Sequence, residues 1–221
     1  MSNSLYVQYG CGLCAPDNWY NFDASPNLWL ERFPVFGRLY AGRKNLGGKR
    51  IRQRFPSNIQ YGDIVRGLPI EANSCCGVYA SHVLEHLSLE DFRVALVNTY
   101  KILKPNGIFR LVVPDLEVIA RHYISSHSSN AAIEFFNATG LGIRNRPKGL
   151  SAVTQAILGN GGHLWMWDYK SLKYKLEVQG FVEIRRAEFN DSADSNFSIV
   201  EDSGRFVNSV AVECKKPCHQ S

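Results

Sequence analysis

The chain has no run of roughly 18 apolar residues, so no membrane span is expected. Its start, "MSNSLYVQYG", has no basic region followed by a long apolar stretch. Export by a signal peptide is therefore not expected, and the chain is placed in the cytoplasm. There is no internal repeat and no low-complexity tract. Paired zinc spacing is also missing: Cys11-x-x-Cys14 and Cys214-x-x-x-Cys218 each lack a second half. With Cys75 and Cys76 these read as reduced thiols. His82-Val-Leu-Glu85-His86 places two histidines four apart, but the His-Glu-x-x-His order of a zinc helix is absent. No metal is expected. Acidic residues are lacking between 38 and 54, where "RLYAGRKNLGGKRIRQR" carries only basic charge. That loop is either solvated and mobile or attracts an anionic substrate. Only Tyr40 interleaves it, too few aromatics for a single-strand binder.

What is present is an ordinary globular composition, 45% hydrophobic and 20% charged, with a net charge of +5 over 221 residues. That length suits a single α/β domain. Short β-prone runs occur at 5–10, 18–23, 58–63, 75–81 and 107–115. Between the last two, Phe92, Ala95, Leu96, Thr99, Ile102 and Leu103 recur at helical spacing. Ser88 and Asp91 offer a capping box, and "PNG" at 105–107 stops the helix. "YKSLKYKLEVQGF" (169–181) reads as another helix ended by Gly180. "FVEIRRAEF" and "FVNSVAVECK" follow as two strands. Strands and helices alternating before a terminal strand pair imply an open, mostly parallel sheet. Residues 116–168 interrupt that alternation just after a strand end, the edge where such sheets bind ligands, and are read as a cap.

Chemistry concentrates at the strand ends. The first strand runs into Gly10-x-Gly12, where glycines allow close backbone approach or positive φ. Asp23 ends the second strand, the place from which an acid can hold ribose hydroxyls. Gly12 and Asp23 are only 11 positions apart, against about 20 in the dinucleotide fingerprint. No crossover helix fits, so the turn offers no helix N-terminus to a pyrophosphate. That argues against NAD and FAD and leaves room for a nucleoside without phosphates. Asp63 ends the third strand. It either caps a turn or receives an adenine amino group, with Ile64 stacked on the ring.

The ordered pieces "YGCG", "NFD", "YGDIVRGLPIE", "VYASHVLEHL", "YKILKPNGIFRLVVPDLE", "GHLWMWDYKSLKYKLEVQGF" and "NSVAVECKKP" resemble the class I S-adenosylmethionine-dependent methyltransferases, type 11 branch. The resemblance implies a Rossmann-like, mostly parallel seven-stranded sheet with the last strand antiparallel, a truncated first crossover and a helical cap insertion. The whole of 1–221 would be one domain, with the cap at about 116–168 and the basic loop at about 38–54. S-adenosylmethionine would be the cofactor. Tyr9, Gly10, Cys11 and Gly12 would line its methionine part, Asp23 its ribose, Asp63 and Ile64 its adenine, and Ser81 and His82 its sulfonium. Gln8 stands where the family usually carries an acid. The short first loop is similar to a subgroup linked with polysaccharide gene clusters.

The resemblance implies a small-molecule or glycan acceptor. A nucleic-acid methyltransferase and a non-catalytic cofactor-binding protein are the alternatives, and nucleic acid is supported only by the basic loop. In-line transfer needs an acceptor nucleophile about 3 Å from the methyl group, with a base where the acceptor is a hydroxyl. The candidates are His163, Asp115 and His82. His163 either anchors the cap or meets the acceptor; Asp115 either caps the next helix or acts as a base. Trp165 and Trp167, two apart, are expected to face the same way, at least one of them walling the acceptor pocket with His163. Gly161 and Gly162 would form a hinge. The pattern leaves oligomeric state open.

Overall fold

The structure is a computed structural model that describes residues 4–32, 54–143 and 162–218. Of the expected basic loop at 38–54 only Arg54 is described, and the hinge residue Gly161 and the expected cap residues 144–160 lie outside the described residues. Seven strands form one sheet: β1 (Leu5–Tyr9), β2 (Tyr20–Asp23), β3 (Ile59–Tyr61), β4 (Cys75–Ser81), β5 (Leu103–Pro114), β6 (Val182–Ala187) and β7 (Ser209–Lys215). Their order is β3-β2-β1-β4-β5-β7-β6. Strands β1 to β5 pair in parallel, and β7 runs antiparallel to both β5 and β6. This is the Rossmann-like arrangement expected, with β7 as the reversed strand.

The helices are α1 (Pro26–Arg32), α2 (Leu89–Ile102), α3 (Leu116–Ser125), α4 (Ala131–Thr139) and α5 (Tyr169–Gln179). Helix α2 starts where Ser88 accepts a hydrogen bond from the Asp91 amide, as its sequence requires. Leu103 to Asn106 extend β5 backwards instead of forming a turn, since Leu103 pairs with Cys75. Helix α5 carries a full capping box between Asp168 and Ser171 and ends at Gly180 in the left-handed region.

Strand side chains alternate between two cores. Val7, Val78, Leu111 and Val212 face one side, where they meet Phe92 and Leu96 of α2 and Leu172 and Leu176 of α5. Tyr6, Tyr79, Val112 and Ala211 face the other, against Trp19, Phe197 and Val200. Among the described residues the second face is covered by the turn-rich segment joining β6 to β7, which includes short 3-10 turns at Ser195–Ile199 and Ser203–Phe206. Arg110 of β5 ties that segment down. Its guanidinium meets Glu201, Glu213 (3.0 Å) and Asp191 (2.9 Å), and donates to the Glu188 carbonyl at 2.6 Å.

Parallel neighbours normally need a crossover of a dozen or more residues, usually helical. Here β1 and β2 are joined by residues 10–19 with turns alone. Two buried amides substitute for a helix. Gln8 donates to the Cys14 carbonyl (2.8 Å) and to Asn21 Oδ1 (2.6 Å). Asn21 in turn donates to the carbonyls of Pro16 (3.0 Å) and Trp19 (2.9 Å). Gln8 thus staples the loop shut.

Candidate active site

The parallel strands β1, β2 and β4 end on one edge, and their ends bring together most of the expected cofactor residues. Gly10 (φ 63°) and Gly12 (φ 57°) both occupy the left-handed region. A Cβ on Gly10 would lie 2.1 Å from Val83 Cγ2, so the close approach of β1 to the segment after β4 needs a glycine there. A Cβ on Gly12 would meet nothing within 4 Å, so the loop faces open space. The Asp23 carboxylate accepts from the Gly12 amide (2.9 Å) and the Ser25 amide (2.7 Å). One bond to each oxygen fixes the group and leaves lone pairs for further donors. Asp63 accepts from the Val65 amide at 2.9 Å and so heads a turn, while Ile64 is buried in the main core.

Two members of the expected set turn inward. The Tyr9 ring is buried and its hydroxyl meets Thr99 of α2 at 3.2 Å; burial pushes its pKa up. Cys11 is buried too, and burial, helped by Asp23, raises its thiol to about 12. These two can offer only backbone to a cofactor through such packing. The loop has room and a fixed carboxylate, and it runs from β1 to β2 through turns and not through a helix. These features fit a nucleoside sulfonium such as S-adenosylmethionine and fit a pyrophosphate poorly.

Beyond β4 the chain turns sharply. His82 adopts φ 54°, unusual for a residue with a side chain, and Ser81 is buried beneath it. Arg205 donates to the Ser81 carbonyl (3.2 Å), and the His82 ring Nε2 reaches the Arg205 carbonyl (2.9 Å). Nδ1 of the same ring lies 3.4 Å from Glu85. That carboxylate raises the His82 imidazole above its ordinary value, against burial, which lowers it. Arg205 carried no signal in sequence; it reaches the site from 123 positions away because the Arg110 cluster docks its segment.

His82 also lines a cavity of about 600 Å³. Its walls include Pro114 at the end of β5, Val118, Ile119 and Tyr123 of α3, Phe135 of α4, His163, and Asn208 and Ser209 before and at β7. Helices α3 and α4 pack as a hairpin over this edge, in the region read as a cap. His163 is held by its amide on the Gly140 carbonyl (3.3 Å) and its Nδ1 on the Thr139 carbonyl (2.7 Å). Gly140, the left-handed cap of α4, is needed because a Cβ there would fall 2.7 Å from the His163 ring. Of the candidate bases, then, His82 and His163 reach the cavity. Asp115 is 3% exposed and its carboxylate accepts from the Glu117 amide as the N-cap of α3.

The tryptophans depart from expectation. Their rings do lie side by side, 6.2 Å apart. Neither lines the cavity. Trp167 is 1% exposed and packs on Phe92 with centroids 4.0 Å apart. The Leu116 amide binds the Trp167 carbonyl at 2.8 Å, which draws that residue against the end of β5 and its ring under α2. Trp165 remains 42% exposed.

Strand order and the reversed β7 define a Rossmann-like α/β domain with its candidate site at the ends of the parallel strands. Residues 41–111 match the model of a methyltransferase domain of type 11. No curated protein matches the chain by sequence. Among solved structures it is similar to a SAM-dependent methyltransferase from Archaeoglobus fulgidus, with 16% identity over 96% of this chain and 86% of that one and a TM-score of 0.49. A SAM-dependent methyltransferase from Thermotoga maritima shares 16% identity over 96% and 81%, TM-score 0.48. Phosphoethanolamine N-methyltransferase 2 of Haemonchus contortus, solved with S-adenosylhomocysteine, shares 12% over 98% and 50%, TM-score 0.48. Among the described residues no helix is long and apolar enough to cross a membrane.

Proposed function

We propose that this chain transfers a methyl group from S-adenosylmethionine to a small-molecule or glycan acceptor held in the cavity between His82, His163 and the α3–α4 hairpin. The observation that carries the reading is His82. It alone, among the described residues, belongs both to the expected cofactor set and to the cavity wall. Around it the wall is apolar at Pro114, Val118, Ile119 and Phe135 and polar at His163, Glu134, Asn208 and Ser209. Such a mixture suits a ring that carries hydroxyls.

In this reading Gly10, Cys11 and Gly12 border the methionine part, Asp23 holds the ribose, Asp63 and Ile64 the adenine, and Ser81 the sulfonium region. The cofactor supplies an electrophilic methyl group. The chain orients the acceptor, excludes water through the hairpin, and takes the acceptor's proton on an imidazole, His82 or His163. Asp115 is left a structural cap.

Calorimetry with S-adenosylmethionine and with NAD, then transfer of labelled methyl to hydroxylated small molecules, oligosaccharides and RNA, tests this. The first cofactor should bind and NAD should not. Label should enter the small molecules or oligosaccharides. Label confined to RNA would replace the acceptor class, and intact cofactor binding without transfer to any acceptor would mark a binding protein. Asp23→Ala should weaken S-adenosylmethionine by about 1–3 kcal/mol with the fold retained. An unchanged dissociation constant would move the ribose site elsewhere.

A further inference from the structure

We infer that Glu85, His86 and His163 form a binding site for a divalent first-row transition-metal ion at the inner edge of the cavity. In sequence the run from His82 to His86 lacks the His-Glu-x-x-His order of a zinc helix, and Glu85 and His86 by themselves need a third ligand. The fold supplies one. Glu85 and His86 lie in a 3-10 turn after β4, and the Glu85 carbonyl accepts from the amides of Leu164 (2.7 Å) and Trp165 (3.1 Å). Those bonds lay His163 against the turn. Its ring and that of His86 meet edge to face with centroids 5.0 Å apart.

The chemistry of the donor set is specific. Glu85 is 1% exposed, and neither of its carboxylate oxygens has a hydrogen-bond partner. A buried carboxylate without donors is costly. His86 Nδ1 lies 3.2 Å from the Gly162 carbonyl and His163 Nδ1 lies 2.7 Å from the Thr139 carbonyl. A carbonyl can only accept, so each Nδ1 carries a proton, and in the neutral ring each Nε2 keeps its lone pair. Both Nε2 atoms point at Glu85 Oε1, from 3.9 and 4.0 Å. Those are too long for hydrogen bonds. The three ligand atoms lie within 4.8 Å of one another. An ion about 2.1 Å from each would draw them together by about 0.5–1 Å. Metal-bound histidines commonly donate their other N–H to a backbone carbonyl, and both histidines do so here. Two imidazoles and a carboxylate select iron, manganese, cobalt or zinc over calcium or magnesium.

His163 belongs to both the cluster and the cavity wall. On the proposed reading of the cavity, an acceptor hydroxyl would reach the ion, and His82 would take its proton, since both nitrogens of His163 would be engaged. The competing account is a proton shared between His82 Nδ1 and Glu85, which would offset the carboxylate without a metal.

Titrating the full chain, stripped with chelator, with cobalt(II) separates the two. Calorimetry and the visible absorption of the ion report binding without any methyl transfer. One ion per chain is expected, with affinity lowered more than about tenfold in Glu85→Gln and in His163→Gln. His127→Gln, at an exposed histidine outside the cluster, should bind as the parent does. Folding of each variant is read by circular dichroism; should Glu85→Gln not fold, His86→Gln and His163→Gln decide. No ion bound by the folded parent, or binding indifferent to the cluster variants, overturns the site. Cofactor calorimetry on the same samples keeps that failure separate from failure of the methyl-transfer reading.

Discussion

Arg110 and Glu85 are both withdrawn from water, one on β5 and the other just past the end of β4. Arg110 meets three carboxylates and a backbone carbonyl, so each nitrogen of its guanidinium has an acceptor. Glu85 faces three imidazoles, from His82, His86 and His163, at 3.4, 3.9 and 4.0 Å, and accepts no hydrogen bond from any of them. A buried charge with its partners in place holds a structure together. A buried carboxylate whose neighbours donate no hydrogen bond to it leaves a deficit that something else must supply.

The comparison can be broken by substitution. Arg110→Met should cost the most, about 3–5 kcal/mol of unfolding free energy in urea, because it strands the carboxylates that face it. A loss under about 1 kcal/mol would show that the cluster does not dock the β6–β7 segment. Glu213→Gln should come next, at about 1–3 kcal/mol, since it keeps the shape but weakens the bonds to Arg110 and Arg185 (2.7 Å). Glu85→Gln, measured in chelator, should change stability least, by under about 1 kcal/mol and with a gain as the favoured sign. A loss as large as that of Arg110→Met would make the two clusters alike and favour the proton-shared pair with His82.

Much of the scaffold was legible because its signals are local. Ser88 and Asp91 sit three apart and cap α2; Gly180 follows α5 directly; Asp23 ends its strand beside the glycine turn. The short gap from Gly12 to Asp23 also excluded a first crossover helix, and none is present among residues 10–19. What closes the gap, the Gln8–Asn21 amide pair, could not be read, since polar residues in a strand ordinarily mark its solvent face. The site was less legible. His163 and Glu85 are 78 positions apart, and Arg110 and Glu201 are 91 apart. Nothing in local spacing joins such pairs. The reading of Trp165 and Trp167 relied on spacing alone, and it failed on the single backbone bond from Leu116 that tucks Trp167 beneath α2.

The stapled β1–β2 loop has a kinetic side as well. Val7 pairs with Tyr20 across 13 positions, while Leu111 pairs with Val212 across 101. Closing the longer loop costs about 2 kcal/mol more chain entropy, before other contacts shorten the path. Contacts that are near in sequence tend to form early, and distant ones late. The edge that holds Asp23 and the glycine turn can therefore assemble from a nascent segment of some two dozen residues. The strand that brings Glu213 to Arg110 must wait for most of the chain. Refolding followed by hydrogen exchange should find protection at β1 and β2 ahead of protection at β7, so that the Asp23 edge is in place before the strand that completes the Arg110 cluster.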